Sequence, residues 1–168
     1  MQHVFGDEAS EWRTPRFGEI VPRIARLAQA CAPRVSCTRF VAPSEPAGAW
    51  RAYYRQFPFA RQPPDAPLYQ LVQEFAQFAE NAVSLPTFGK WGGELAARVG
   101  GDDLLLAGVS TDCCVISTAL AAADAGVRVR VVADACAGAS DASHADALAV
   151  LRLYAPLIEV VLSADVLG

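Results

Sequence analysis

In the C-terminal part of the chain, continuous apolar runs alternate with segments whose apolar residues recur every three or four positions. Continuous runs are typical of strands buried on both faces, and the longer spacing is typical of amphipathic helices. The pattern predicts strands at 104–109, 127–133 and 157–162, and helices at 112–125 and 140–154. This alternation predicts right-handed crossovers and a parallel sheet that helices cover on both faces.

The N-terminal part carries the same pattern more weakly. Apolar residues at three- and four-residue spacing predict a helix at 17–32, and a strand at 34–41 follows it. The pattern then predicts a helix at 68–79, a short strand at 82–85 and a helix at 93–99. These elements extend the predicted α/β alternation to most of the chain.

One long segment, residues 43–67, does not fit this alternation. It is rich in proline, aromatic residues and arginine, and it is too long for an ordinary connection between elements. Such a segment is typical of an active-site wall or a contact between subunits. A packed surface excursion is an equally good interpretation of its composition.

Composition narrows the class of protein. A chain of 168 residues, 53% of them hydrophobic, is sufficient for a real core, so we expect residues 1–168 to form a single domain. The net charge of −4 leaves no basic field for nucleic acid. No apolar run approaches the roughly 18 to 20 residues that cross a bilayer, so no membrane partner is expected. The five cysteines form an odd set, which predicts reduced thiols and a cytoplasmic protein.

Two adjacent cysteines, Cys113 and Cys114, lie where the apolar run 104–109 gives way to a helix. In open parallel sheets, ligands bind beyond the carboxyl ends of the strands. A thiol in the first turn of a helix meets unpaired backbone N–H groups and the positive end of the helix dipole, which favour the thiolate. Spacing alone leaves two interpretations open: a reactive nucleophile, or a small buried hydrophobic residue.

Helical periodicity separates the two thiols. Cys113 shares its face with Ile116 and Leu120, whereas Cys114 shares a face of small residues with Thr118. We therefore interpret Cys113 as a packing residue and Cys114 as the thiol that meets substrate.

Four segments form a set that extends over most of the chain: Met1-Gln-x-x-Phe5, Cys37-Thr-Arg-Phe40, Phe88-Gly-Lys-Trp91 and Gly108-Val-Ser-Thr-Asp-Cys-Cys-Val-Ile-Ser-Thr-Ala119. Together they resemble the isochorismatase-like cysteine hydrolases, whose hallmark is Thr-Asp-x-Cys-Val with the cysteine as nucleophile. The resemblance implies a three-layer, Rossmann-like α/β fold with a parallel sheet and helices on both faces.

The same resemblance implies the composition of the site. It implies a triad of aspartate, lysine and cysteine in which Lys90 is the lysine and Cys114 the nucleophile, and a cis peptide before Ser110. Ser110 and Cys114 would form the oxyanion hole. An ammonium group beside the thiolate stabilises the anion and can deliver a proton to a leaving amine. Six further residues are predicted to form the substrate pocket, with the arginine binding a substrate carboxylate: Phe5, Trp12, Arg39, Phe40, Phe88 and Trp91.

One member of the implied triad is missing. In the resembled family the aspartate ends the first, central strand, immediately before the segment that matches Met1-Gln2. This chain has no residue at that position, and no apolar run replaces the strand. We therefore expect a fold that lacks its first central strand and exposes two sheet edges. A longer native chain or a partner strand would resolve the conflict, and an upstream strand ending in aspartate is expected to rescue a weak or absent activity. The nearest carboxylate, Asp7, is expected to be a surface residue.

The resemblance thus implies a hydrolase that cleaves an amide or carbamoyl C–N bond of a small molecule through a thioester on Cys114, impaired by the missing aspartate. True isochorismatases lack this cysteine. No metal is predicted, because His3 and His144 are far apart in sequence and adjacent cysteines lack zinc-site spacing. No glycine-rich nucleotide motif is present, so no cofactor is predicted.

Two other function classes remain open. One is a non-catalytic relative that binds or oligomerises, and a homo-oligomer is predicted in either case. The other is a redox protein that uses the adjacent thiols, which is disfavoured because neighbouring cysteines close only a strained ring. Fast alkylation at neutral pH is the expected mark of a catalytic Cys114.

Overall fold

The computed structural model describes residues 1–101 and 103–168. The strands that it contains form two parallel sheets, and the helices lie on both faces, so the predicted α/β class is confirmed. In the smaller sheet, β1 (Thr38–Phe40) pairs with β2 (Val83–Leu85). In the larger sheet, β4 (Arg128–Ala137) lies between β3 (Asp103–Val109) and β5 (Ile158–Val161).

The helices alternate with these strands along the chain. Their bounds are α1 His3–Gly6, α2 Phe17–Cys31, α3 Trp50–Gln56, α4 Gly93–Val99, α5 Ile116–Asp124, α6 Asp141–Arg152 and α7 Ser163–Leu167. Short 3₁₀ helices lie at Pro58–Ala60, Pro67–Tyr69 and Gln73–Phe78, and a π-helical turn, Thr111–Val115, leads into α5.

Helices pack on both faces of β4, which explains why valines on both faces of this strand are fully buried. Val129 and Val131 are fully buried in a cluster with residues of α5 and α6. Val132 is fully buried on the other face, against α2 and α7. Because neighbouring side chains of a strand point to opposite faces, a strand between two helical layers buries both sets.

A groove of about 700 Å³ separates the two sheets. Among the described residues, β1 pairs only with β2 and β3 only with β4, so each has one unpaired edge, and residues of both strands line this central groove. Helix α2 contributes to one wall, and α4 together with the start of α5 contributes to the other. A strand between β1 and β3 would join the two sheets.

The structure corrects several sequence-based predictions. The predicted helix at 68–79 is wrong: this segment forms two 3₁₀ helices separated by extended backbone. The extended part is fixed by an antiparallel bridge between Leu71 and Gln2, which lies far away in the sequence. The predicted strand at 34–41 shrinks to β1, and the one at 127–133 extends to Ala137. Helices α1, α3 and α7 were not predicted.

Asp134 connects β4 to the start of α7. Its carboxylate accepts hydrogen bonds from the backbone N–H of Ser163, at 2.7 Å, and from the Ser163 hydroxyl, at 2.6 Å. Burial alone would raise the pKa of Asp134, but these bonds and the nearby Arg23 hold it below its ordinary value. The ionised form is therefore preferred in the folded protein.

We expect Asp134→Asn to lower the free energy of unfolding by about 1–3 kcal/mol at neutral pH, because hydrogen bonds to a charged acceptor are lost. A depressed pKa stabilises the fold above the unfolded value, near about 4, and this contribution is lost as the pH falls. The difference between the variant and the parent should therefore shrink in urea titrations below about pH 4. A difference that persists at low pH would contradict this electrostatic origin.

Candidate active site

The turn after β3 presents the two cysteines. The peptide bond between Val109 and Ser110 is cis, as the resemblance implies, and the π-helical turn follows directly. Cys114 lines the central groove, whereas Cys113 does not. The backbone of Ser110 lies close enough to the Cys114 sulfur to lower the pKa of this thiol. The structure thus brings the predicted nucleophile and the predicted oxyanion residue together at the carboxyl end of β3.

Helix α6 and the residues just before it contact this turn. Thr111 is fully buried, and its hydroxyl oxygen lies 2.8 Å from Nδ1 of His144. Asp112 accepts a hydrogen bond from the backbone N–H of Ala139 at 3.0 Å. The approach is close enough to require glycine at 138, because a Cβ atom there would come within 2.9 Å of the Asp112 carboxylate and of the His144 backbone nitrogen. His144 therefore contacts this turn through Thr111 and does not line the central groove.

Lys90 lies in the same groove as Cys114. Its side chain is 4% exposed, and its ammonium group donates to the carbonyl oxygens of Thr87 and Leu85. The ammonium nitrogen also lies 5.0 Å from the centre of the Phe40 ring. Among the described residues, no carboxylate forms an ion pair with Lys90. The electrostatic partner that the structure gives Lys90 is Cys114.

Thr118 fixes the lysine loop to the helix that carries the nucleophile. Its hydroxyl oxygen accepts a hydrogen bond from the Lys90 backbone N–H at 2.9 Å. The same hydroxyl donates to the backbone carbonyl of Cys114 at 2.6 Å. One buried side chain therefore connects the two residues of the predicted pair.

The protonation states differ from the sequence-based expectation of a resting thiolate. Burial raises the pKa of the Cys114 thiol above its ordinary value, and Lys90 and the Ser110 N–H oppose this shift only in part. Burial also lowers the pKa of Lys90 to about 8, although Cys114 opposes the change. Desolvation disfavours both charged forms and outweighs their mutual attraction. Near neutral pH the pair therefore rests as a thiol beside an ammonium group.

Aromatic rings form a wall beside the thiols. Trp12 packs edge-on against Phe40 at 5.5 Å between ring centres, and stacks with Phe5 at 6.4 Å. Phe88 lies 5.2 Å from Trp50. The structure thus connects the four predicted pocket aromatics, Phe5, Trp12, Phe40 and Phe88, through the cluster that the segment 43–67 completes.

Of the six predicted pocket residues, Phe5 and Phe40 line the central groove, and Trp12 and Phe88 belong to the aromatic wall without lining it. The other two lie elsewhere. Arg39 does not line the central groove, and its side chain donates to the Ser84 hydroxyl on the neighbouring strand at 3.1 Å. Trp91 packs against the core between the larger sheet and α5. Alternation along β1 explains the first case, because Phe40 and Arg39 point to opposite faces of the strand.

Three residues near the site were not singled out from the sequence. Gln2 is almost fully buried and exchanges hydrogen bonds with the backbone N–H and carbonyl of Phe40 at 2.8 and 2.9 Å. Tyr53 is close enough for Cys113 and Cys114 to affect its pKa, which burial raises to about 12. Thr118 had a weak signal in the sequence, since it shares a helix face with Cys114.

Neither a metal-binding cluster nor a membrane-spanning helix is found in the described part of the chain. Among the residues that the structure describes, no three His, Cys, Asp or Glu side chains converge closely enough to hold a metal ion. In the same part of the chain, no helix combines the length and apolarity needed to cross a bilayer.

Comparisons with known proteins agree with this geometry. A bovine (Bos taurus) isochorismatase domain-containing protein 2 is 44% identical over 59 residues, which cover 35% of this chain and 29% of the bovine protein. A cysteine hydrolase from Pseudomonas syringae pv. phaseolicola superposes with a TM-score of 0.85 at 19% identity, over 99% of this chain and 87% of that one. An isochorismatase-like hydrolase from Alkaliphilus metalliredigens gives 0.80 at 17% identity, over 99% and 92%. The family model of the isochorismatase domain matches residues 1–165, and the chain therefore belongs to the isochorismatase-like hydrolase family.

Proposed function

We propose that the chain is a cysteine hydrolase that cleaves an amide or carbamoyl C–N bond of a small molecule, with Cys114 as the nucleophile and no cofactor. The observation that supports it most is the buried pair of Cys114 and Lys90 at one end of the central groove. The Pseudomonas relative described as a cysteine hydrolase supports the same chemistry. Residues 1–168 would act as one domain, and a cytoplasmic location and a homo-oligomeric state stay predictions.

The reaction would proceed in two steps. The Cys114 thiol gives its proton to a base, and the sulfur attacks the substrate carbonyl carbon while the Ser110 and Cys114 N–H groups stabilise the oxyanion. The C–N bond breaks, the amine leaves with a proton from Lys90, and a thioester remains on Cys114. Water then attacks the thioester, releasing the carboxylic or carbamic acid and restoring the thiol.

The substrate would be flanked by the aromatic wall. Tyr53 lies near both thiols, and its ring packs against Phe88 at 5.7 Å. Such surfaces favour the flat or apolar part of a small molecule, because aromatic side chains bury large areas with few polar demands. The amide or carbamoyl group would then point towards Cys114.

The first step needs a base, and Lys90 lies beside Cys114, where it can supply one. As an ammonium group it cannot accept the thiol proton, but above its pKa of about 8 the neutral amine can. We therefore expect kcat/KM for amide hydrolysis, measured as ammonia release from a panel of small amides, to rise between about pH 7 and pH 9.

The matched control is Lys90→Gln, which keeps a polar side chain but cannot titrate. Its activity should be low across the same pH range. A parent profile that is already flat at neutral pH would contradict the assignment of Lys90 as the base. Ammonia release by the parent that Cys114→Ala leaves unchanged would contradict the proposed function itself.

A further inference from the structure

A second cavity lies beside α3, separate from the central groove. Its volume is about 340 Å³, and its walls are formed by the loop 44–46, Arg51, Tyr54, Arg55 and Arg61. None of these residues lines the central groove. The cavity is therefore distinct from the site of Cys114 and Lys90.

The charge of this arginine pocket is positive. The three guanidinium groups face one carboxylate, that of Glu45, and among the described residues none of the three arginines forms an ion pair. Arg51 donates to the Pro46 carbonyl at 3.3 Å, and Arg61 donates to the Ser44 carbonyl at 3.2 Å. These two bonds use one donor nitrogen of each arginine and leave the rest of each guanidinium fork available.

Tyr54 lines the same pocket, and its hydroxyl group is buried below the pocket wall. The residue is 3% exposed, and in the described part of the chain its hydroxyl group has no hydrogen-bond partner. Burial raises the pKa of this hydroxyl well above its usual range, so it remains a donor. Buried polar groups in native proteins are nearly always hydrogen-bonded, and each exception calls for a partner. An acceptor in the arginine pocket would supply one.

We propose that the arginine pocket binds a phosphate group, free or carried by a small molecule, through Arg51, Arg55 and Arg61, and that a small shift of the Tyr54 side chain lets its hydroxyl donate to a phosphate oxygen. Guanidinium groups bind phosphate oxygens through paired N–H donors, which gives both geometry and strength. The cavity volume leaves space for atoms beyond the phosphate itself, since a water molecule takes about 30 Å³.

The position of the pocket gives the ligand a structural effect. Arg51, Tyr54 and Arg55 belong to α3, and the same short helix contributes Trp50 and Tyr53 to the aromatic wall. A phosphate held by α3 and by Arg61 would link this helix to the chain that follows it. The ligand would therefore stabilise the wall without touching the thiols.

The test is a thermal and calorimetric titration with inorganic phosphate and, separately, phenyl phosphate, each against sodium chloride at equal ionic strength. We expect a saturable rise in Tm with phosphate, and tighter binding of phenyl phosphate would identify an organic phosphate as the better ligand. Arg55→Gln should weaken phosphate binding by about tenfold, the equivalent of one lost charge-assisted hydrogen bond. Arg152→Gln, which removes an exposed arginine of α6, should leave the binding unchanged.

Tyr54→Phe tests the ligand role of the hydroxyl separately from any structural role, because the two roles predict different effects on Tm and on phosphate binding. Removing a buried hydroxyl without a partner should leave Tm unchanged or higher in the absence of phosphate. The same substitution should weaken phosphate binding several-fold. The proposal is overturned if phosphate raises Tm no more than chloride does, or if Arg55→Gln and Arg152→Gln bind phosphate equally well.

Discussion

Adding an apolar strand of about seven residues that ends in aspartate, directly before Met1, is expected to raise hydrolase activity on the order of a hundredfold to ten-thousandfold, the usual effect of a general base. The length is that of β3, whose edge the strand would pair with. The measurement is kcat/KM for amide hydrolysis near neutral pH, where Lys90 is still an ammonium group and cannot accept the thiol proton. The expected profile also keeps its activity below about pH 8, because a carboxylate beside Lys90 would replace the neutral amine as the base.

The geometry of the central groove supports this expectation. The unpaired edges of β1 and β3 line it, and Met1 lies at its end beside Gly108. Burial lowers the pKa of the Met1 amino group, and the thiols of Cys37 and Cys114 oppose that shift, so the group is close to the nucleophile. A strand that leads into Met1 would therefore deliver its last side chain to the end of the groove that contains Cys114 and Lys90.

Two control extensions separate catalysis from folding. A strand that ends in asparagine should raise Tm as much as the aspartate version does, because it pairs with the same edges, yet it should leave activity low. A strand with proline at two interior positions should do neither, since proline cannot donate to a sheet. Equal activity of the aspartate and asparagine versions would refute the role of the carboxylate.

Cys114→Ala is expected to abolish amide hydrolysis in the strand-extended protein, with a loss on the order of ten-thousandfold or more, because the proposed acyl intermediate forms on this sulfur. Intact-mass spectrometry after rapid acid quenching should show an acyl adduct on the parent and none on the variant. Cys113→Ala is the matched control. Cys113 does not line the central groove, so this variant should form the adduct and retain most of its activity.

The result also decides between the open function classes. Turnover that survives Cys114→Ala would exclude a Cys114 thioester. A parent that forms no adduct with any small amide, even in the extended form, would favour a non-catalytic binding protein. Loss of activity in both alanine variants together would favour chemistry that uses the two thiols jointly.

The sequence predicted the helices and strands correctly wherever burial alone determines the local structure. The segments that form β3, β4 and β5 are mostly apolar because helices cover both faces of the sheet, and this pattern is local. The segment 68–79 has helical spacing, but its backbone pairs with Gln2. A local sequence pattern cannot indicate a β-bridge to a distant residue. Helix α3 was missed because prolines on both sides of it indicated an irregular segment.

The sequence predicted which residues meet at the candidate site better than it predicted their protonation states. The positions of Cys114, Lys90 and Ser110 followed from the resemblance, and the structure places all three around the same turn. The direction of the Cys114 pKa did not follow, because it depends on how much water the surrounding helices and strands exclude. A helix terminus and an ammonium group favour a thiolate only to the extent that desolvation does not outweigh them.

The double hydrogen bond of Thr118 determines which movements the site can tolerate. Because this hydroxyl joins the Lys90 backbone to the Cys114 carbonyl, the distance between the two residues is set by α5 rather than by the loop that precedes Lys90. The Lys90 ammonium group is held differently, because it donates to the carbonyl oxygen of Thr87. A shift of residues 86–88 would therefore redirect the ammonium group while the Lys90 backbone stays beside Cys114, so that entry through this loop is coupled to the direction in which the amine points.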